Sequence, residues 1–373
     1  MKYFSTLVSF TLVLTLVVIA LGAYTRLTDA GLGCPDWPGC YGKYHAPVLD
    51  HHIADAQEKF PHLEVDPYKA RNEMLHRYIA GLLGLAVLAI FIASHYIKRY
   101  RRLASALLLL VIFQAALGMW TVTLNLLPLI VLAHLLGGFT LLCLLALLRA
   151  EIAWDRAQNS TPKNNNVAEP ALSRLAGFGF VVLLVLIAQI ALGGWTSTNY
   201  AAAVCNQLPF CEAGWQERFS LAQVFHLPLG HETYEYGVLP YEARMSIHVS
   251  HRVGAIVTLL VFGAFLYACW RRAQSHVMRK MVIAMSLLLL LQLTLGLINI
   301  IALVPLWNAV AHNVVAANLL MMLVVFLRQI ALRRDVIFPA SVMPAQTEIS
   351  SPRHSVVRSV VNENKFSQTP NKI

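Results

Sequence analysis

Two stretches of this chain, residues 103–148 and 281–327, run for 46 and 47 residues without one Asp, Glu, Lys or Arg. Nothing else in the sequence constrains the fold as tightly. A helix on the surface of a soluble protein keeps one polar face, and runs of this kind leave none. A helix that crosses the hydrocarbon core of a bilayer needs about 20 apolar residues. Each run is therefore long enough for two crossings. Each also carries a proline near its middle, Pro128 and Pro305, where a continuous helix would break. Both are read as tight helical hairpins. Further charge-free stretches lie at 3–25, 78–97, 175–211 and 253–270. Together they predict an all-α polytopic membrane protein with eight transmembrane helices, at about 4–24, 74–97, 103–124, 128–148, 174–197, 246–270, 281–303 and 305–327.

The composition agrees. Charged residues make up 13% of the chain, about half the roughly 25% of soluble domains. That excludes a soluble enzyme and a nucleic-acid binder, despite a formal net charge of +10. Lys2 followed by an apolar run also fits a cleaved signal peptide, but the run is long for one and no small-x-small site follows. The first span is read as retained.

The charges sort by loop. Residues 98–102 and 271–280 carry four basic residues each and no acid, residues 149–174 four basic against three acidic, and the tail from Arg328 seven against three. The two long loops are acidic, with five basic against eight acidic residues in 26–73 and two against five in 198–246. Basic loops stay inside, so both termini are expected in the cytoplasm and the long loops outside, in the periplasm if this is a Gram-negative bacterium. The tail beyond about 336 is rich in Ser, Asn, Pro and Val and is expected to be disordered.

The chain repeats itself. Residues 19–25, IALGAYT, match residues 190–196, IALGGWT, at an offset of 171, and Cys34 and Cys40 match Cys205 and Cys211 at the same offset. His76–Arg77 matches His251–Arg252 at 175, and Gln114, Gly118 and His134 match Gln292, Gly296 and His312 at 178. Shared apolar composition does not explain matched Cys, His, Gln and Gly. An even number of helices per copy gives both copies one orientation, as two pseudo-symmetric four-helix bundles about an axis along the membrane normal. The expected organisation is an N-terminal half at 1–150, a cytoplasmic linker at 151–173, a C-terminal half at 174–330 and a tail at 331–373.

Four repeat-matched histidines fall inside spans, near one end of their helices: His76 and His134 in one half, His251 and His312 in the other. Ionisable groups at membrane depth are costly and tend to be functional. Two imidazoles from facing helices are what the two axial positions of a haem iron require. A dinuclear metal would need inward carboxylates that the spans lack. For Arg77 and Arg252 two roles are open: snorkelling to the interface, or pairing with haem propionates. His95 has no histidine counterpart and is read as structural.

The halves differ at one telling position. Glu73 stands three residues before His76 on the same helical face, and its counterpart before His251 is His248. A carboxylate beside a reacting ligand can serve as a general base. A solvated loop-end acid, or an acid at a helix N-terminus, is the other reading. Cys34/Cys40 and Cys205/Cys211 are C-x5-C pairs in the outward loops, where disulfides persist, and intra-loop bonds are the direct reading. The spacing does not fit c-type haem attachment. Cys143 and Cys269 read as small core residues.

With these motifs the sequence resembles the haem A synthase family over about residues 5–327. The most specific segments are TRLTDAGLGCPDWPGCYG (25–42), EMLHRYIAG (73–81), HRVGA (251–255) and AHNVVAANL (311–319). The resemblance implies an oxidoreductase that converts a ring methyl of haem O to a formyl group. It implies a haem b cofactor on His251 and His312, and substrate haem O on His76 and His134. The glutamate matched by Glu73 is the family's candidate catalytic residue. Arg252 and Arg77, where read above as propionate partners, would stand beside the two haems. A membrane electron acceptor is implied as partner, with haem O synthase and a second copy of the chain as further candidates. A di-haem b-type electron carrier linked to quinol is the alternative, and a haem chaperone or exporter a third. Residues 43–72 and 212–243 carry no motif.

Overall fold

The computed structural model describes residues 1–159 and 169–334. Eight long helices among these residues are apolar enough to cross a membrane: α1 Lys2–Leu27, α2 Pro67–Tyr96, α3 Arg101–Thr123, α4 Pro128–Asn159, α5 Ala176–Thr198, α6 Tyr241–Arg272, α7 His276–Ile301 and α8 Leu306–Arg334. No strand appears among the described residues. The fold is that of an all-α polytopic membrane protein, as expected. Leu85, Leu109, Leu260 and Leu287 point out of the bundle and are exposed. Such a surface would aggregate in water and suits lipid.

Charge-free length marks the spans well and their ends poorly. α2 begins at Pro67 and α6 at Tyr241, two turns and about one turn earlier than the sequence predicts. The Asp66 carboxylate accepts from the backbone N–H groups of Tyr68 and Lys69, and Pro67 sits in the first turn, a strong helix start. These first turns are polar because they extend beyond the apolar belt. α4 likewise runs on to Asn159 and α8 to Arg334, into the segments expected to be linker and tail. The tail expectation otherwise falls outside the described residues.

Within each half the helices close a ring. α1 packs on α2, α2 on α3, α3 on α4, and α4 back on α1; α5, α6, α7 and α8 repeat the pattern. The rings meet where α4 packs on α8, flanked by α1 on α8 and α4 on α5. In a parallel repeat, a residue on the axis meets its own counterpart. Arg26 donates to the carbonyl of Ser197 at 2.8 Å, and Tyr200 to the carboxylate of Asp29 at 3.1 Å, each pair separated by the 171 offset. At the opposite end Arg328 pairs with Glu151 at 2.9 Å, separated by 177. Phe139 and Leu142 of α4 join Phe262, Phe265, Leu323 and Phe326 in one buried core.

The two long connections between α1 and α2 and between α5 and α6 lie at one end of the bundle. The first folds on its own half, with a helix at Asp50–Lys59 and a core of Tyr41, Ala56, Ala70 and Met74. The second crosses over. Asn125, at the α3–α4 turn, donates to the Glu232 carbonyl and accepts from the Tyr234 N–H.

Candidate functional site

Each half carries one site, built from the same parts. Cys34 is bonded to Cys40 and Cys205 to Cys211. Beneath each disulfide loop lies one arginine. Arg77 Nη1 donates to the carbonyls of Asp36, Pro38 and Gly39. Arg252 Nη1 donates to those of Gln207, Pro209 and Phe210, the same three positions one repeat later. A guanidinium presents its donors in a planar fork, and here the fork gathers the carbonyls of a tight loop. In the structure both arginines clamp the loops to helices α2 and α6.

The second guanidinium nitrogen separates the halves. Arg252 Nη2 donates to the Cys205 carbonyl at 2.5 Å. Arg77 Nη2 pairs instead with Glu73, whose other oxygen accepts from the Cys34 backbone N–H at 2.8 Å. Glu73 is 5% exposed and lies nearly two turns into α2. It is neither a solvated loop-end acid nor a first-turn acid, since the helix-dipole effect fades beyond the first turn. Gly33 makes the contact possible. A Cβ there would meet the backbone of Lys69 and Ala70 at 2.4–2.7 Å, so only glycine lets the loop lie this close to α2. Its counterpart is Val204. His248, in the place of Glu73, is buried, with no hydrogen bond at Nδ1.

The structure brings the four histidines together in their expected pairs. His76 lies within electrostatic reach of His134, and His251 of His312. Each ring rests on a glycine. Cβ atoms added at Gly22 and Gly193 would meet the Cε1 atoms of His76 and His251 at 3.0 and 2.9 Å. At Gly118 and Gly296 they would meet those of His134 and His312 at 3.5 and 3.3 Å. The Nδ1 atoms of His76, His134 and His312 are buried without a hydrogen-bond partner. Buried polar atoms seldom remain so, and these belong to the side chains that would ligate iron. Two imidazoles per half, with no carboxylate among the paired ligands, fit axial ligation of haem.

One difference escaped the sequence reading. The Gln189 carboxamide lies 3.0 Å from His251 Nδ1 and donates to the His251 carbonyl. A Cβ at Gly254 would fall 2.2 Å from Gln189 Oε1. The N-terminal half has Val18 and Ile79 at these two positions. Polar support and the space for it were exchanged together. Gln292 stands 3.1 Å from His312 Nε2, so both histidines of the C-terminal site have an amide beside the ring.

This architecture has relatives. A family model described as cytochrome oxidase assembly protein matches residues 5–324. The haem A synthase of Shewanella oneidensis is 46% identical over 320 residues, which span 85% of this chain and 94% of that protein. The chain belongs to the haem A synthase family. More distant members include those of Neorickettsia sennetsu, 24% identical over 85% of this chain and 96% of the relative, and Sphingopyxis alaskensis, 26% identical over 82% and 86%. The family match runs from α1 into α8 and takes in both disulfides, Glu73 and all four paired histidines. Repeat alignment held the signal for the missed pair: Gln189 is a lone amide in a charge-free span, opposite a valine.

Proposed function

We propose that this chain converts haem O to haem A for cytochrome oxidase assembly, and that its halves divide the work. The observation that carries this division is the exchange of Glu73 for His248 within otherwise matched clamps. The N-terminal half takes haem O as substrate on His76 and His134. The C-terminal half takes haem b on His251 and His312. We take the halves as 1–150 and 174–330, one ring of four helices each, with α4 and α8 running past these limits. The basic short loops support a topology with both termini in the cytoplasm of a bacterium and the disulfide loops outside its inner membrane.

The net reaction turns a ring methyl and one water into a formyl group, with release of four protons and four electrons. It passes a hydroxymethyl stage after two of each. The porphyrin carries the difficult chemistry, because its conjugated ring accepts the electron deficit left at the methyl carbon. The protein supplies orientation and a proton acceptor. Glu73 is held at two points, by Arg77 and by the Cys34 N–H, so its carboxylate has a fixed place about one helical turn before His76. Removing a positioned general base typically costs about 10²–10⁴-fold in rate. Haem b, when bound, supplies a one-electron relay toward a membrane acceptor. Gln189 and Gln292 hold the rings of its ligands, and such outer partners tune affinity and potential.

Glu73→Gln tests the reading. Extracted haem should then contain haem O where the wild type yields haem A, with haem b unchanged. Haem A formed at the wild-type rate would refute the role of Glu73.

A further inference from the structure

We propose that Arg244 anchors the propionates of the haem in the C-terminal half, and that Lys69 does the same, more weakly, in the N-terminal half. This rests on the haem reading above. Arg77 gives its terminal nitrogens to loop carbonyls and to Glu73. Arg252 gives both of its terminal nitrogens to loop carbonyls and keeps only a buried Nε without a partner, so a whole guanidinium or ammonium for the haem carboxylates has to come from elsewhere. Lys69 and Arg244 occupy one repeat position, separated by the same 175 residues as His76 and His251. Each stands seven residues before its histidine. Seven residues are nearly two full turns, so cation and ligand share a helix face, about 10 Å apart along the axis. That is the scale on which a haem spans from its iron to its carboxylates, once the reach of the cationic side chain is added.

The two cations are differently engaged. Arg244 is half-buried and makes no side-chain hydrogen bond or ion pair among the described residues; its Nε is buried without a partner. A half-buried guanidinium in that state lacks the anion that ordinarily accompanies it. Lys69 Nζ instead lies 3.1 Å from the Tyr236 hydroxyl and 3.5 Å from Glu235 Oε1. Both belong to the connection that crosses from the other half. A propionate on Lys69 would compete with Glu235, and one on Arg244 would not. A cofactor is retained and a substrate leaves after each turnover, so the difference has the right direction.

The test is a haem b titration of the purified full-length protein made in haem-limited cells, followed by the haem Soret band, with haem b as the free acid and as its dimethyl ester. Wild type should prefer the free acid by about tenfold to a hundredfold, the scale of a charged hydrogen bond. At the C-terminal site, Arg244→Gln should bind both forms equally. Arg244→Lys should recover much of the preference, which separates lost charge from lost folding. Equal binding of both forms by wild type, or an undiminished preference in Arg244→Gln, overturns the proposal. His251→Ala is the control on the reading beneath it. If it binds haem b as tightly as wild type does, the ligand assignment falls; if it loses haem b while Arg244→Gln keeps its preference, only the propionate anchor falls.

Discussion

The two halves of this molecule hold their disulfide loops with the same arginine on the same three carbonyls, yet one arginine ends on a carboxylate and the other on a backbone oxygen. In the N-terminal half Arg77 fixes Glu73, and Glu73 holds Cys34. In the C-terminal half Arg252 reaches Cys205 directly, and His248 stands by without a bond at Nδ1. Duplication supplied a common frame of helices, disulfides, clamps and histidine pairs. Four departures from symmetry lie within a few turns of the histidines: Glu73 against His248, Gly33 against Val204, Val18 against Gln189 and Ile79 against Gly254. A frame kept in both copies is scaffold, and a difference set into it is where the copies take up separate tasks.

The comparison can be broken most directly at Glu73. Glu73→Ala should lower haem A formation by about a hundredfold or more, whereas His248→Ala should leave it within about threefold, read by chromatography of extracted haems. Next in size is the clamp. Arg77→Ala strands a buried carboxylate and should cost about 3 kcal/mol in thermal unfolding in detergent. Arg252→Ala leaves only carbonyls unpaired and should cost less. Adding Glu73→Gln to Arg77→Ala should recover part of the loss, because the two residues act as a pair.

Smaller effects sharpen the contrast between sites. Gln189→Leu should weaken haem b retention by about tenfold and shift its midpoint potential, while Val18→Leu should change neither site. Retention unchanged in Gln189→Leu would remove the amide from the account. Smallest should be the loop contact between Lys43 and Asp55, 2.6 Å apart on the surface. The Lys43 ammonium holds the Asp55 carboxyl below the usual carboxylate range. A depressed pKa contributes stability above the ordinary carboxylate value and loses it as pH falls through the depressed one. Lys43→Ala should therefore change acid unfolding of the first outer loop slightly, and haem chemistry not at all.

Much of this could be read from the chain alone. The spans were legible because charge is excluded from hydrocarbon, and the hairpins because a proline interrupts each long run. The histidine pairs were legible because the repeat preserved four ionisable groups where they are costly. The helix starts at Pro67 and Tyr241 were not, since those turns are polar and lie beyond the apolar belt, although Asp66 and Pro67 form a recognisable cap. The arginine clamps left no pattern to find, because their partners are backbone carbonyls, which every residue has. Gln189 and Gly254 were legible only as a pair, through the repeat, and neither stands out by itself.

The central claim is that one half transforms a haem while the other keeps one. Haem extraction from purified wild type and from Glu73→Gln, with each haem counted per chain, tests it most directly. The account predicts haem b at the same content in both proteins, beside haem A or its hydroxylated precursor in wild type and haem O in the variant. Haem b alone filling both sites of both proteins would contradict it and leave an electron carrier in its place.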